Sequence, residues 1–267
     1  MDEKDYYENE SFWTKERYLN NDQELIRFKD FYSLIPTSAS TVLDVGCGNG
    51  AFLKYLEDNN SNIISIGYER SQTAIANKVC KSQIIAGSAD RIEYPDNSFD
   101  VVLALEVIEH LPFGIYESSL KELQRIASKY IIISVPFRER QRLIKCPYCG
   151  CSFSPYYHLR SFNEKTMKTI FEGFELLKFS YISKYRDYYV WNFLKRIWYA
   201  KIIGIEKKIP VSSLCPQCGF HMAASETPVS QESHQNHINK LKSRLRMLTP
   251  YRNTSIWLAC IYQKRCS

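Results

Sequence analysis

The sequence predicts an α/β fold: a doubly wound, mostly parallel sheet of seven strands with helices on both faces, interrupted by an inserted four-cysteine unit. Three observations predict it. Between residues 42 and 135 short apolar runs alternate with helix-period stretches, the order that gives parallel strands joined by crossover helices. The apolar run Val42–Val45 passes directly into three alternating glycines, Gly46, Gly48 and Gly50. Four cysteines stand in two matched C-P-x-C-G pairs.

The elements follow in order. Phe12 to Tyr32 reads as one amphipathic helix with Phe12, Tyr18, Leu25, Phe28 and Phe31 on its buried side, ended by Pro36 and the polar run Thr37–Ser40. Strands are expected at Val42–Val45, Ile63–Tyr68, Gln83–Ala86, Phe99–Leu105 and Tyr130–Val135, with helices at Ala51–Asn59, Thr73–Val79 and Tyr116–Ala127 between them. The polar, cysteine-bearing stretch Phe137–Tyr157 breaks the pattern. It resumes with a helix at Asn163–Glu172 and a strand at Phe174–Ser183. An aromatic, basic stretch, Asp187–Ile203, reads as helical. A second cysteine loop follows at Ile209–Ser225, then a helix at Gln231–Leu248 and a final strand at Thr254–Gln263.

Composition narrows the classes. A chain of 267 residues suits one large domain, or one domain with a long insertion. The formal charge of +6, from 35 Lys and Arg against 29 Asp and Glu, is too modest by itself to argue for nucleic acid. No run nears the roughly 18 apolar residues that span a bilayer. Met1 to Glu10 is acidic and polar, without the apolar region of a secretory signal. A cytoplasmic protein is the expectation. In a reducing compartment the paired cysteines then point to metal rather than disulfides.

The glycine segment carries the main chemical signal. A tight turn in which ligand presses on backbone needs glycine, and the helix that follows offers its N-terminus to polar ligand groups. Glu69, ending the second strand, stands where a carboxylate can grip both hydroxyls of a ribose. Asp44-Val45-Gly46-Cys47-Gly48-Asn49-Gly50 resembles the cofactor loop of class I S-adenosylmethionine (SAM)-dependent methyltransferases, which share a Rossmann-like fold. The resemblance implies that Asp44, Gly46, Cys47, Gly48 and Gly50 hold the methionine part of SAM and that Glu69, with Arg70 beside it, holds the ribose. Gly87-Ser88-Ala89-Asp90 resembles the segment that reaches the adenine, which brings in Ala89 and Asp90. Leu105 and Glu106, at the end of the fourth strand, complete the expected cofactor lining. The similarity runs from about Thr41 to Val135 and resumes from His158 to Ser183.

Glu106-Val107-Ile108-Glu109-His110 follows the fourth strand, and strand C-termini border the ligand crevice in such sheets. Two carboxylates and an imidazole can coordinate a divalent cation, or one of them can act as a general base. The segment resembles two branches of the family: O-methyltransferases of ubiquinone biosynthesis, and enzymes that methylate the 3′-terminal 2′-hydroxyl of small RNAs. The RNA branch supplies a further histidine after the fifth strand, where His158 stands. The resemblance implies Mg2+ or Mn2+ held by Glu106, Glu109, His110 and His158 beside an acceptor hydroxyl. The alternative is structural: Glu109 capping backbone amides and His158 ordering its loop.

Cys146, Cys149, Cys215 and Cys218 have the spacing of two knuckles that together make a closed, structural tetrahedral zinc site. Three parts are expected: an N-terminal helical cap (1–36), a SAM-binding domain (37–136, 158–184 and 254–264), and insertions (137–157 and 185–253) that form a zinc-binding acceptor subdomain. In the aromatic, basic insertion Trp191, Leu194 and Trp198 either pack it onto the main domain or line a contact surface for an acceptor, nucleic acid or membrane. The expected activity is methyl transfer from SAM to a hydroxyl of a small metabolite or sugar-type intermediate. RNA is the second acceptor, and a non-catalytic SAM-binding interaction module is a third reading.

Overall fold

The computed structural model describes residues 7–10, 13–14, 18–139, 143–198, 215, 217–218, 220 and 245–265. By its contacts the chain divides into two compact units. One comprises Met1–Gln141, Tyr157–Ser183 and Trp257–Ser267; the other comprises Arg142–Tyr156 and Lys184–Ile256.

The first unit holds most of a seven-stranded sheet. Its strands are β1 (Thr41–Val45), β2 (Ile64–Glu69), β3 (Ile84–Ala86), β4 (Phe99–Leu105), β5 (Ala127–Pro136), β8 (Phe174–Asp187) and β9 (Arg252–Lys264), and they lie in the order β3-β2-β1-β4-β5-β9-β8. Residues 184–187 of β8 and 252–256 of β9 are counted with the second unit. β1 to β5 are parallel neighbours, whereas β9 runs antiparallel to β5, with Ile132 opposite Ile261. The order reverses between β1 and β4, and at such a switch point the strand ends open into a ligand crevice. Helices α1 (Asp22–Tyr32), α2 (Ala51–Asn59), α3 (Gln72–Ala76), α4 (Ile115–Ile126) and α5 (Glu164–Met167) complete it. Leu43, Val102, Ile131, Ile133 and Leu258 belong to one buried core. Phe28, Phe31, Phe52 and Leu56 belong to a second, which ties α1 to α2. The central strands bury both faces, which is why they read as continuous apolar runs rather than alternations.

Two of the sequence-derived helices differ in extent. The expected helix from Phe12 is not continuous: the chain leaves helix at residues 19–21, and α1 starts at Asp22, where the Asn21 side chain accepts the Gln23 N–H and caps it. Trp13 and Tyr18, expected on that helix, instead stack on each other at 6.3 Å, and Phe12 lies outside the described residues. The helix expected over Asn163–Glu172 is only Glu164–Met167, started by the Asn163 side chain on the Lys165 and Thr166 amides.

The second unit holds a two-stranded antiparallel hairpin, β6 (Ile144–Lys145) with β7 (Ser152–Phe153), and helix α6 (Tyr189–Trp198). The expected helix Gln231–Leu248 falls almost wholly outside the described residues; Leu245 to Met247 are helical. Leu194, one of the expected packing residues, is 52% exposed, and the Trp198 side chain lies outside the described set.

Candidate functional site

The glycine turn sits where β1 runs out at the switch point. The Gly46 N–H still donates to the Tyr68 carbonyl of β2 at 2.7 Å, so the ladder leads straight into the turn. Gly46 and Gly48 have φ of +73° and +57°. A Cβ on Gly46 would lie 2.6 Å from Val107 Cγ2, and one on Gly48 2.5 Å from the Trp13 ring. Both positions therefore need glycine for conformation and for space. Gly50 caps α2 in the left-handed region and Cys47 is half-buried beside it.

Glu69 lies buried at the end of β2. One carboxylate oxygen accepts the Gly48 N–H at 2.7 Å, and the other accepts those of Arg70 and Ser71 at 2.8 Å each. Burial pushes its pKa up and the three amides pull it back, leaving it raised. Asp44 is buried below the turn. Burial, with the charge of Glu69 adding, pushes it up to about 8. Ala89 packs against the main core, and Asp90 accepts a hydrogen bond from the Ser88 hydroxyl. Leu105 is half-buried at the end of β4.

The Glu-x-x-Glu-His segment folds into a tight group. Glu109 is fully buried, and among the described residues neither of its carboxylate oxygens has a hydrogen-bond partner. His110 Nε2 stands 3.8 Å from Glu109 Oε1. The His110 and His158 rings lie 4.8 Å apart, and one ligand atom each from Glu109, His110 and His158 fall within 4.8 Å of one another. Two hydrogen bonds hold the loop after β5 against the loop after β4: the Leu159 N–H donates to the Glu109 carbonyl at 2.8 Å, and the Arg160 guanidinium donates to the Leu111 carbonyl. Each imidazole is anchored through Nδ1, His110 on the Tyr157 carbonyl at 3.3 Å and His158 on the Glu139 carboxylate. A ligating histidine is usually held this way, by its other nitrogen on a carbonyl or carboxylate.

Two non-glycine residues flank the group in left-handed conformations, Glu106 (φ +60°) and Tyr157 (φ +58°). Such backbone costs about 1–3 kcal/mol and concentrates at functional sites. Glu106 does not join the other three residues. Its side chain turns to β5, where Oε1 accepts the Ser134 hydroxyl at 2.8 Å. Burial pushes Glu109 well above the carboxylate range, with Glu106 adding to it, and drags His110 down to about 3, with His158 adding to that. A buried carboxyl without a donor among the described residues, beside two imidazoles, is a donor set that suits a cation. Two nitrogens and one carboxylate fit a divalent transition ion such as Mn2+ better than Mg2+, which prefers an all-oxygen shell.

Sequence reasoning missed part of the surroundings. The Trp13 ring lies on Gly48, and the Asn49 amide donates to the Trp13 carbonyl at 3.5 Å. Tyr7 meets His110 edge-on at 5.5 Å, and its carbonyl accepts from Ser71 at 2.8 Å and from the Trp13 indole at 2.7 Å. Glu8 accepts the Gln72 and Thr73 amides at the start of α3. Tyr7 and Trp13 thus reach both the glycine turn and the Glu109 group. Trp13 falls within the span expected as one helix from Phe12, and Tyr7 lies before it in an acidic, polar stretch with no pattern of its own. Glu139 sits in a charged run, Arg138-Glu139-Arg140, that reads as a solvated surface.

In the second unit, Sγ of Cys146 lies 3.6 Å from that of Cys218, and Cys149 Sγ lies 3.6 Å from Cys215 Sγ. All four sulfurs fall within 4.8 Å of one another. A tetrahedron with Zn–S bonds of ~2.3 Å has edges of ~3.8 Å, so the spacing fits zinc. Gly150, at φ +75°, turns the first knuckle, and the Tyr148 N–H points at Cys146 Sγ from 3.4 Å. In the second, the Cys215 N–H donates to the Phe220 carbonyl at 2.8 Å.

A parallel sheet reversed at a glycine turn, with an acidic residue ending the next strand, is the frame of a nucleotide-type cofactor domain. The methyltransferase domain family matches residues 16–178, and the chain belongs to this family of class I SAM-dependent methyltransferases. It is 32% identical over 104 residues to an uncharacterized protein of Methanocaldococcus jannaschii, 39% of this chain and 43% of that protein. It is 37% identical over 79 residues to 27-O-demethylrifamycin SV methyltransferase of Amycolatopsis mediterranei, 27% of this chain and 29% of that one. The chain thus spans less than half the length of either relative. A SAM-dependent methyltransferase from Archaeoglobus fulgidus shares the fold over 96% of this chain and all of its own, at a TM-score of 0.53 and 18% identity.

Proposed function

We propose that this chain is a SAM-dependent O-methyltransferase in which Glu109, His110 and His158 hold a divalent cation beside the acceptor hydroxyl. The observation that carries the reading is the fully buried Glu109 carboxylate, without a hydrogen bond among the described residues, facing two imidazoles anchored by their far nitrogens. When bound, SAM supplies an electrophilic methyl group, and a divalent cation supplies acidification of the hydroxyl. The protein's own part is placement. The turn from Gly46 to Gly50 accommodates the methionine end, Glu69 and Arg70 take the ribose, and Ala89 and Asp90 lie toward the adenine. Leu105 and Glu106 border the reacting sulfur. Glu109, His110 and His158 orient the acceptor oxygen in line with the methyl group, and that alignment accounts for much of the rate.

The acceptor in this reading is a small metabolite or sugar-type intermediate. An RNA 3′-terminal ribose is the second reading, favoured by the meeting of His158 with Glu109 and His110. Cys146, Cys149, Cys215 and Cys218 hold a structural zinc ion.

Calorimetry with SAM on metal-stripped and Mn2+-loaded protein, followed by acceptor screening, tests the whole. The expected result is SAM binding in both forms and turnover only with the added ion. Turnover that is indifferent to Mn2+ and unaffected by Glu109→Ala or His110→Ala would sink the metal reading. SAM binding without turnover on any hydroxyl would leave an interaction module.

A further inference from the structure

The chain's charge is unevenly divided. The unit of Arg142–Tyr156 and Lys184–Ile256 has 14 Lys and Arg against 4 Asp and Glu (14 − 4 = +10). The remainder has 21 against 25 (21 − 25 = −4). The modest +6 of the whole chain conceals a strongly basic unit joined to an acidic one. Such a division points to an anionic partner for the basic part.

The same unit exposes apolar side chains on two segments that are fastened together. Tyr188, just before α6, packs against Tyr251 with ring centroids 5.5 Å apart. Arg246 lies over the Tyr188 ring at 4.7 Å, Arg186 lies over Tyr251 at 4.8 Å, and Arg252 bonds to Asp187 at 2.9 Å. On these joined segments Phe193 is 62% exposed, Leu194 52%, Met247 62% and Leu248 82%. In sequence, α6 also carries Lys195 and Arg196. Large aliphatic and aromatic residues presented among cations are the composition of a helix that lies in a membrane interface.

We propose that this face docks on an anionic lipid surface. Charge complementarity and the aliphatic residues favour lipid over nucleic acid. Single-stranded nucleic acid takes cations and aromatic planes. Phe193 and Tyr189 do offer rings, but Leu194, Met247 and Leu248, three of the most exposed side chains on these segments, offer none for a base. Burial at the acyl boundary suits those side chains, while the surrounding Lys and Arg meet the headgroups. The attachment is peripheral: no helix among the described residues is long and apolar enough to cross a membrane. The inference stands apart from the proposed chemistry, since it uses none of the residues around Glu109.

The test is sedimentation of the full, zinc-loaded chain with vesicles of equal parts phosphatidylcholine and phosphatidylglycerol, beside vesicles of phosphatidylcholine alone and a single-stranded RNA. Binding to the mixed vesicles is expected, released by salt and weak on the neutral ones. Phe193→Glu with Leu248→Glu lowers partitioning at least about tenfold. Lys195→Gln and Arg196→Gln lower it about fivefold each. An unchanged thermal melt and SAM affinity show that the variants are folded. Failure to bind the mixed vesicles, variants that partition like the parent, or salt-sensitive RNA binding without vesicle binding would each overturn the proposal.

Discussion

The sheet unit and the cysteine unit hold their shapes by different means. In the first, Leu43, Val102, Ile131, Ile133 and Leu258 are fully buried members of one large core. In the second, the core among the described residues is Cys146, Phe153 and Cys215, with Ile144, Cys151 and Phe220 packed against it. Two of those three buried residues are proposed metal ligands. Zinc held as proposed by Cys146, Cys149, Cys215 and Cys218 would tie this cluster together. The same contrast separates the two clusters able to hold an ion. The thiols form a closed set of four carried on turns. Glu109, His110 and His158 form a set of three, which leaves coordination positions for an acceptor.

The largest expected effect falls on the thiols. Cys215→Ser should abolish zinc retention, worth on the order of 10 kcal/mol of apparent binding energy in small zinc domains. Elemental analysis reads the loss, and limited proteolysis should cut within residues 142–156 and 184–256 while the sheet unit survives. A variant as protease-resistant as the parent would mean that the unit has a core of its own. Next, Glu109→Gln should lower kcat by roughly 10²–10⁴ and leave SAM affinity nearly unchanged. Equal losses in SAM binding would instead make Glu109 part of the cofactor site. Smaller again is Glu139→Gln, which touches the ion only through His158. A loss of about 10–100-fold in Mn2+ affinity is expected, read by calorimetry; no change would make the contact incidental.

The two regions also differ in how legible they are in sequence. The parallel sheet announces itself, because strands buried on both faces are written as unbroken apolar runs: Val42–Val45 and Phe99–Leu105 fall where they are expected. The glycine turn is legible for the same local reason, a left-handed backbone with no room for a Cβ at Gly46 or Gly48. The four thiols are legible as a pattern, and they do converge. What stays hidden depends on long-range closure. Nothing near Glu139 signals that it reaches His158, nor does anything near Tyr7 signal that it meets His110. Glu106 looks equivalent to Glu109 in sequence, three residues away, but a positive φ sends it to Ser134 instead. The helix start at Asp22 was missed because the periodicity of the aromatics runs on through the Asn21 cap.

The smallest predicted effect is a difference in pH response between the units. Asp44, buried beneath the glycine turn, is raised from 3.8 to about 8 by burial and then by Glu69. Between those values the folded sheet unit keeps a proton that the unfolded chain has released. Its stability therefore falls as pH rises through that window, by at most about 1.4 kcal/mol per pH unit. Asp44→Asn removes the proton equilibrium while keeping the shape, so the variant's melting temperature should gain steadily on the parent's from pH 5 to pH 8. The cysteine unit should respond in the opposite direction. Burial acts to raise the Cys146 thiol, but the Cys149 and Tyr148 amides outweigh it and bring the group to about 7. Zinc needs thiolates, so its hold strengthens as pH rises. Thermal melts of parent and Asp44→Asn from pH 5 to 8, with zinc release followed by a chromogenic chelator, read both trends together. Parallel melting curves for the two proteins would mean that Asp44 ionises without penalty, relieved by a donor from the Cys47–Gly50 turn.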